Sequence, residues 1–304
     1  MRIRVLGAAA GGGLPQWNCT CTNCSALRNR QPHIQSRTQS QLAFSADGEA
    51  WYLVNASPDL REQLNQTPVV HPDPSKGLRN TPVEGVILTS ADLDHVLGLL
   101  LMREFTPVRI YATETVRSIL QANSFFQMLD RLPGQSRWTT IEPGISFSEK
   151  SGFTCTPIAI PGSFPSYVAE EHRIALDGDS AVVGLLLESA QGKRIAYLPA
   201  LPSVSSSLKS TLSTCSVILV DGTFWSDDEL QRIQPGTPLA HSMGHLSISG
   251  PEGSLAAFRD CADIRKIYTH INNTNPILNE QSLERQLLED AGWEVAYDGM
   301  EITL

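Results

Sequence analysis

The chain has 304 residues, 41% of them hydrophobic, enough to bury a sizeable core, and one domain spanning 1–304 is the expectation. Its 23 Lys and Arg against 32 Asp and Glu leave a formal charge of −9 with no Lys/Arg run, so neither nucleic acid nor an anionic lipid surface finds an electrostatic footprint. No stretch approaches the roughly 18 apolar residues of a membrane span, and MRIRVLGAAAGGGLPQW breaks at Gly11-Gly12-Gly13 before a signal-peptide core accumulates; a soluble, cytoplasmic protein with a small or peptidic ligand is expected.

In chain order, RIRVLG reads as a strand entering a glycine-rich turn, followed by a cysteine-bearing loop at about 17–26. QSQLAFSADGEAWYLVNAS reads as two strands around an Asp47-Gly48 turn, and Pro58 opens a short helix, PDLREQLNQ. After a polar loop, VEGVILTS is a buried strand by its continuous apolar run, and ADLDHVLGLLLMREF turns helical after His95. RIYAT is a strand and TETVRSILQANSFFQMLDRL one helix with a Thr cap. The second half repeats the rhythm, with SGFTCTPIAI, VVGLLLES and KRIAYLPAL as strands, SSSLKSTLSTC as a helix and SVILVDGTFW as a strand. GPEGSLAAFRDCADI is then helical, KIYTHI a strand, SLERQLLEDAG a helix closed by Gly292, and WEVAYDGMEITL a hairpin around Asp298-Gly299. Strands followed by helices in each half predict an α/β (α+β) fold, two sheets face to face with helices outside, a four-layered αββα sandwich.

Three segments carry chemistry. Cys19, Cys21 and Cys24 form a CxCxxC cluster whose spacing can place three thiolates on one tetrahedral ion; a reduced cluster without metal is the bland alternative. Cys155, Cys215 and Cys261 lie in apolar surroundings and read as core. The strand VEGVILTS delivers Ser90, Asp92, Asp94 and His95 into a turn, where α/β proteins commonly place their reactive groups, although Asp94-His95 also suits a helix cap beside a solvated neighbour. Asp221 ends a hydrophobic strand, and AHSMGHLS presents His241 and His245; a carboxylate beside an imidazole can tune a proton shuttle, or each can have separate partners. His71 and His172 sit in polar loops and read as solvated.

TSADLDHVLGLL resembles the metallo-β-lactamase signature THxHxDHxxGL, matching at Thr89, Asp94, His95, Gly98 and Leu99 but carrying Ser90 and Asp92 in place of the first two histidines. The later segments TCTPIAIPGSFP and IAYLPALPS lack the histidine and the carboxylate that complete the first metal site in that superfamily. The resemblance therefore implies one metal, held by Asp94, His95 and the late His270 of KIYTHINN, with Asp92 either a further ligand or a hydrogen-bonding support. Two imidazoles and one carboxylate leave about half of an octahedral sphere free, a set suited to iron(II) and oxygen. Phosphodiesterases of this fold have a similar three-cysteine loop holding structural zinc; their fourth ligand falls at Asn273 here, leaving Asn273, His33 or water open. Asp221 and His245 resemble the acid/base pair of the tRNA-processing branch, with His241 a weaker substrate contact.

Together VLGAAAGGGLPQWNCTCTNC, RTQSQLAFS, TSADLDHVLGLL, GHLSISG and THINNTNPIL resemble the coenzyme PQQ synthesis protein B family across essentially the whole chain. That resemblance implies a place in making pyrroloquinoline quinone (PQQ) from a Glu-Tyr-derived precursor. The implied activity is an iron(II)/O2-dependent hydroxylase acting on the tyrosine ring, with other PQQ pathway proteins as partners. A carrier moving PQQ or its precursor to the periplasm and a zinc-dependent hydrolase are the alternatives. Arg37 and Arg61 are candidate partners for substrate carboxylates.

Overall fold

The structure is a computed structural model that describes residues 1–104 and 107–304. The first sheet is built from β1 (Arg2–Gly7), β2 (Gln41–Ser45), β3 (Trp51–Val54), β4 (Val83–Ile87), β5 (Val108–Ala112) and β6 (Ser136–Thr140). The second sheet takes β7 (Phe147–Glu149), β8 (Phe153–Ala159), β9 (Val183–Ser189), β10 (Arg194–Leu198), β11 (Val217–Asp221), β12 (Arg265–Thr269) and β13 (Trp293–Val295). The last strand, β14 (Glu301–Thr303), returns to pair antiparallel with β1. The orders are β14-β1-β2-β3-β4-β5-β6 and β13-β12-β11-β10-β9-β8-β7. Each half begins antiparallel and turns parallel, at β3–β4 in the first sheet and at β10–β11 in the second.

The central strands are apolar on both faces because both faces are covered. In β10, Ile195 and Tyr197 point into the layer between the sheets, while Ala196 and Leu198 point outward to the helices. Inter-sheet packing joins Phe44, Tyr52 and Tyr111 of one sheet to Phe153, Leu185 and Leu219 of the other. On the outer face of the first sheet, Val86, Leu88 and Ile110 meet Val116, Ile119 and Leu120 of the helix Glu114–Gln121. Beyond the second sheet, Ile218 and Val220 meet Leu208 and Leu212 of the helix Ser206–Leu212 and Leu288 of the helix Leu283–Asp290. These are the four layers of the expected αββα sandwich. No helix among the described residues is long and apolar enough to cross a membrane.

Several elements differ from their sequence reading. The C-terminal segment is no hairpin: β13 pairs with β12 in one sheet and β14 with β1 in the other. Between them Asp298 accepts hydrogen bonds from Ala8 N, Thr38 N and Thr38 Oγ1, anchoring the crossover. The helix expected over TETVRSILQANSFFQMLDRL breaks after Gln121, because Asn123 adopts an extended conformation and its side chain caps a new helix at Phe125 N. Residues Leu93–Val96 form an α-turn that already contains Asp94 and His95, and Leu97–Met102 tightens to a 3-10 helix; the expected helix's last residue, Phe105, lies outside the described residues. Only Ser254–Ala257 of GPEGSLAAFRDCADI is helical. β6 and β7 are polar edge strands whose sequences carry no period-2 apolar signal, and they went unread.

Candidate metal centre

The carboxyl ends of β4, β11 and β12 open at the same end of the sandwich, where a doubly covered sheet exposes its chemistry. The α-turn after β4 is pinned to β3's extension by Ala56 N→His95 O at 2.7 Å and Gly98 N→Ala56 O at 2.8 Å. Gly98 permits this approach, since a Cβ there would lie 2.2 Å from Ser57 O. After β12 the chain turns sharply: His270 has φ 54°, and Ile271 pairs with the N-terminal segment through Ile271 N→Ala8 O and Ala10 N→Ile271 O, both 2.9 Å.

These turns bring Asp94, His95 and His270 together, with one ligand atom from each within 4.8 Å of the others. His270 Nε2 lies 3.1 Å and His95 Nε2 4.0 Å from Asp94 Oδ2. His95 Nε2 is buried and has no hydrogen-bond partner, a costly state for a ring nitrogen that a metal would relieve. Two imidazole nitrogens and a carboxylate oxygen converging on one point are a donor set that fits a divalent transition metal. Burial raises the Asp94 carboxyl, but the neighbouring His95 and His270 outweigh it and hold it well below the usual carboxylate range. Burial also pushes His95 down, favouring the neutral ring that a metal requires.

Asp92 stands apart from this trio. It lines the same cavity and accepts a hydrogen bond from Ser90 Oγ at 2.8 Å.

Next to the trio, His245 Nδ1 lies 2.7 Å from Asp221 Oδ2, and the His245 and His270 rings stack with centroids 5.5 Å apart. Burial opposes a charge on His245, but Asp221 wins and raises its pKa; burial likewise opposes ionised Asp221, which His245 holds low. Asp221 is fixed by Leu201 N and Thr223 N, so the pair is rigid. A cavity of about 290 Å3 lies over Asp92, Asp94, His95, His245 and His270. Its remaining wall includes Gly11, Ser163, Met243 and Asn272, and no Lys or Arg among the described residues.

The cysteine loop forms a second cluster. The sulfurs of Cys19, Cys21 and Cys24 lie within 4.8 Å of one another, and Asn273 Nδ2 is 3.1, 3.5 and 3.3 Å from them. Amide O and N are interchangeable by a flip, so Asn273 can offer its oxygen at this fourth corner. His33 is not in the group. Burial, opposed by a backbone hydrogen bond and reinforced by the neighbouring thiols, pushes Cys21 up to about 11; a dication would relieve that repulsion, so the donors fit zinc. Asn23 Nδ2 donates to Asn273 O and Asn275 O, tying the loop to the segment that follows His270.

A family model described as the β-lactamase superfamily domain matches residues 50–271. The coenzyme PQQ synthesis protein B of Methylobacterium sp. (strain 4-46) is 42% identical over 304 residues, covering 100% of both chains. That of Bradyrhizobium diazoefficiens is 43% identical over 310 residues with 100% of both chains covered. The chain belongs to the coenzyme PQQ synthesis protein B family. Its fold matches the crystal structure of Zn2+-bound PqqB from Methylobacterium extorquens with a TM-score of 0.93 and 38% identity over 100% of each chain.

Within this PQQ synthesis protein B fold, the candidates from sequence divide sharply. Asp92, Asp94, His95, His245 and His270 meet at the cavity, with Asp221 directly behind His245. Arg37 and Arg61 do not. Arg37 is buried, donating to Ala296 O and Gln35 O, and Arg61 lines a separate cavity with Leu60 and Leu64. His241 is exposed and paired with Asp227 at 2.8 Å, so its ring is already partnered. His71 is exposed and bonded to Asn65 O, and Cys155, Cys215 and Cys261 are buried. Sequence reading missed Thr223 as a hub, Ser90 against His95, and buried Glu229, which accepts from Trp225 N and Thr274 Oγ1. A hydroxyl two residues from a strand-end carboxylate was the only available signal for Thr223.

Proposed function

We propose that this protein acts in PQQ biosynthesis as an iron(II)- and O2-dependent hydroxylase of the tyrosine ring in a Glu-Tyr-derived precursor. The observation that carries this reading is the convergence, among the described residues, of three protein donors, Asp94, His95 and His270, beneath an open cavity. A two-metal hydrolase of this superfamily would set its water between two ions, and Ser90 and Asp92 stand where the histidines of the first ion would be. Asp94, His95 and His270 would hold the iron, which when bound supplies dioxygen reduction through the coordination positions these side chains leave free. Cys19, Cys21, Cys24 and Asn273 would hold a structural zinc that steadies the loop after His270.

The chain's own contribution is proton handling and enclosure. His245 presents Nε2 toward the cavity while Nδ1 is held by Asp221, so it can take the phenol proton and return it as the ring is oxidised. Asp221, buried and ionised, stabilises the imidazolium that forms. The balance is one oxygen atom to the ring and one to water, with two electrons from an external reductant and two protons. The cavity wall carries no Lys or Arg among the described residues, so no cationic side chain there pairs with substrate carboxylates.

The test is to load metal-free protein with iron(II) or zinc(II), add a Glu-Tyr-like phenol and ascorbate, and follow oxygen uptake and ring hydroxylation. Turnover with iron alone is expected; equal turnover with zinc, or no oxygen consumption with iron, overturns the oxygenase reading.

A further inference from the structure

Both candidate imidazole ligands have the same arrangement behind them. His95 Nδ1 lies 2.8 Å from Ser90 Oγ, and Ser90 Oγ lies 2.8 Å from Asp92 Oδ2. His270 Nδ1 lies 2.9 Å from Thr223 Oγ1, and Thr223 Oγ1 lies 2.6 Å from Asp221 Oδ1. The two relays come from different elements: one from the turn after β4, the other from the ends of β11 and β12.

Proton counting decides the tautomers. An ionised carboxylate only accepts, so each hydroxyl gives its single proton to its aspartate. Thr223 Oγ1 also lies 2.8 Å from His270 O, but the charged acceptor at 2.6 Å is the stronger partner. Each hydroxyl oxygen then faces its ring as an acceptor, and the ring must carry hydrogen on Nδ1. Nε2 is left with its lone pair. The competing hydroxyl near His95, Thr89 Oγ1, is 3.4 Å away and donates to Asn55 Oδ1. In this tautomer His270 Nε2 and Asp94 Oδ2, 3.1 Å apart, present lone pairs to each other, an arrangement that calls for a cation beside both.

We infer that Ser90 and Thr223 are positioning residues, the middle members of two carboxylate–hydroxyl–imidazole relays that lock His95 and His270 as Nδ1–H tautomers with both Nε2 atoms aimed at one metal. This rests on the reading of Asp94, His95 and His270 as a metal site. It gives Asp92 a role through Ser90, and it makes Asp221 serve two rings, His270 through Thr223 and His245 directly.

The experiment titrates cobalt(II) into the metal-free full-length protein. A thiolate-to-cobalt charge-transfer band reports the cysteine cluster, and d–d bands without it report the Asp94/His95/His270 site. Ser90→Ala and Thr223→Val should each weaken the second site by roughly 10- to 100-fold, as loss of a partner behind a metal-bound histidine commonly does. The charge-transfer titration should stay unchanged, and Thr223→Ser should restore affinity because it keeps the hydroxyl. Wild-type affinity in both Ser90→Ala and Thr223→Val would overturn the inference. If the wild-type protein itself takes up only thiolate-bound cobalt, the metal-site reading fails instead. Histidine 15N shifts of the zinc-loaded wild-type protein give a reading independent of any variant's folding. Protonated Nδ1 on both rings is expected, and protonated Nε2 on either one overturns the assignment.

Discussion

Gly98→Ala tests whether the metal turn depends on direct backbone contact. A Cβ at residue 98 would lie 2.2 Å from Ser57 O and 2.9 Å from Ala56 C and O, all backbone atoms that no side-chain rotation can move aside. The turn must retreat by about 1 Å, an overpacking strain of about 1–3 kcal/mol. The same movement stretches Gly98 N→Ala56 O and Ala56 N→His95 O, now 2.8 and 2.7 Å. At about 0.5–1.5 kcal/mol each, these add about 1–3 kcal/mol. The higher helix propensity of alanine returns at most about 1 kcal/mol. The net expectation is a loss of about 3 kcal/mol, read as a lower midpoint with an unchanged slope in equilibrium guanidinium unfolding. Because one stretched bond ends on His95 O, metal uptake at Asp94/His95/His270 should weaken as well. A destabilisation below about 1 kcal/mol with normal metal uptake would refute the reasoning, since it would mean the contact relaxes freely.

Arg37→Met should cost about 2–4 kcal/mol of stability, because it removes two buried donors to backbone carbonyls and the cation beside Asp298, while leaving the KM for substrate unchanged; a raised KM at normal stability would restore Arg37 as a substrate contact. Cys24→Ser should abolish metal retention at the cysteine cluster and lower the melting temperature, with metal analysis as the check, and full zinc content in the variant would contradict the assigned ligands. Glu229 predicts a pH effect: burial pushes its carboxyl from an ordinary 4.5 up to about 7, against hydrogen bonds from Thr274 and Trp225. The folded state therefore binds this proton more tightly than the unfolded chain. The resulting stabilisation is fully present below about pH 4.5 and lost as pH rises through about 7, an effect of about 3 kcal/mol. Glu229→Gln should lose that pH dependence, so the stability difference between the two proteins should change by about 3 kcal/mol between about pH 4.5 and pH 7; parallel stability profiles would rule it out.

Much of the architecture was legible because its signals are local. Strands β4, β9, β10 and β11 show as short apolar runs since both faces of each sheet are covered. The Asp47-Gly48 turn shows because Gly48 has φ 89° and Asp47 Oδ1 accepts from Glu49 N and Ala50 N within the turn itself. Asp298-Gly299 is an equally good turn signal, with Gly299 at φ 90°, yet its flanking strands join different sheets. A turn signal states that the chain bends and is silent on which edge each arm finds. β6 was illegible for a related reason, as its polar residues pair with β5 only because that edge is there.

At the centre, the sequence by itself determined the residue types: a TSADLDH turn after a buried strand, a late Thr-His, and a CxCxxC loop, enough to identify the superfamily and the family. Which of them meet was decided by tertiary structure alone. Asp94 and His270 are 176 positions apart and end 3.1 Å from each other because β4 and β12 belong to two sheets whose carboxyl ends open on the same side. Arg37 looked available as a cation but is consumed by carbonyls that no local pattern announces. Ser90 and Thr223, ordinary hydroxyls in the sequence, gain their meaning from distances below 3 Å to rings and carboxylates. Burial and hydrogen-bond direction are properties of assembled surfaces, so the sequence could name the donors while only the packed sheets could aim them.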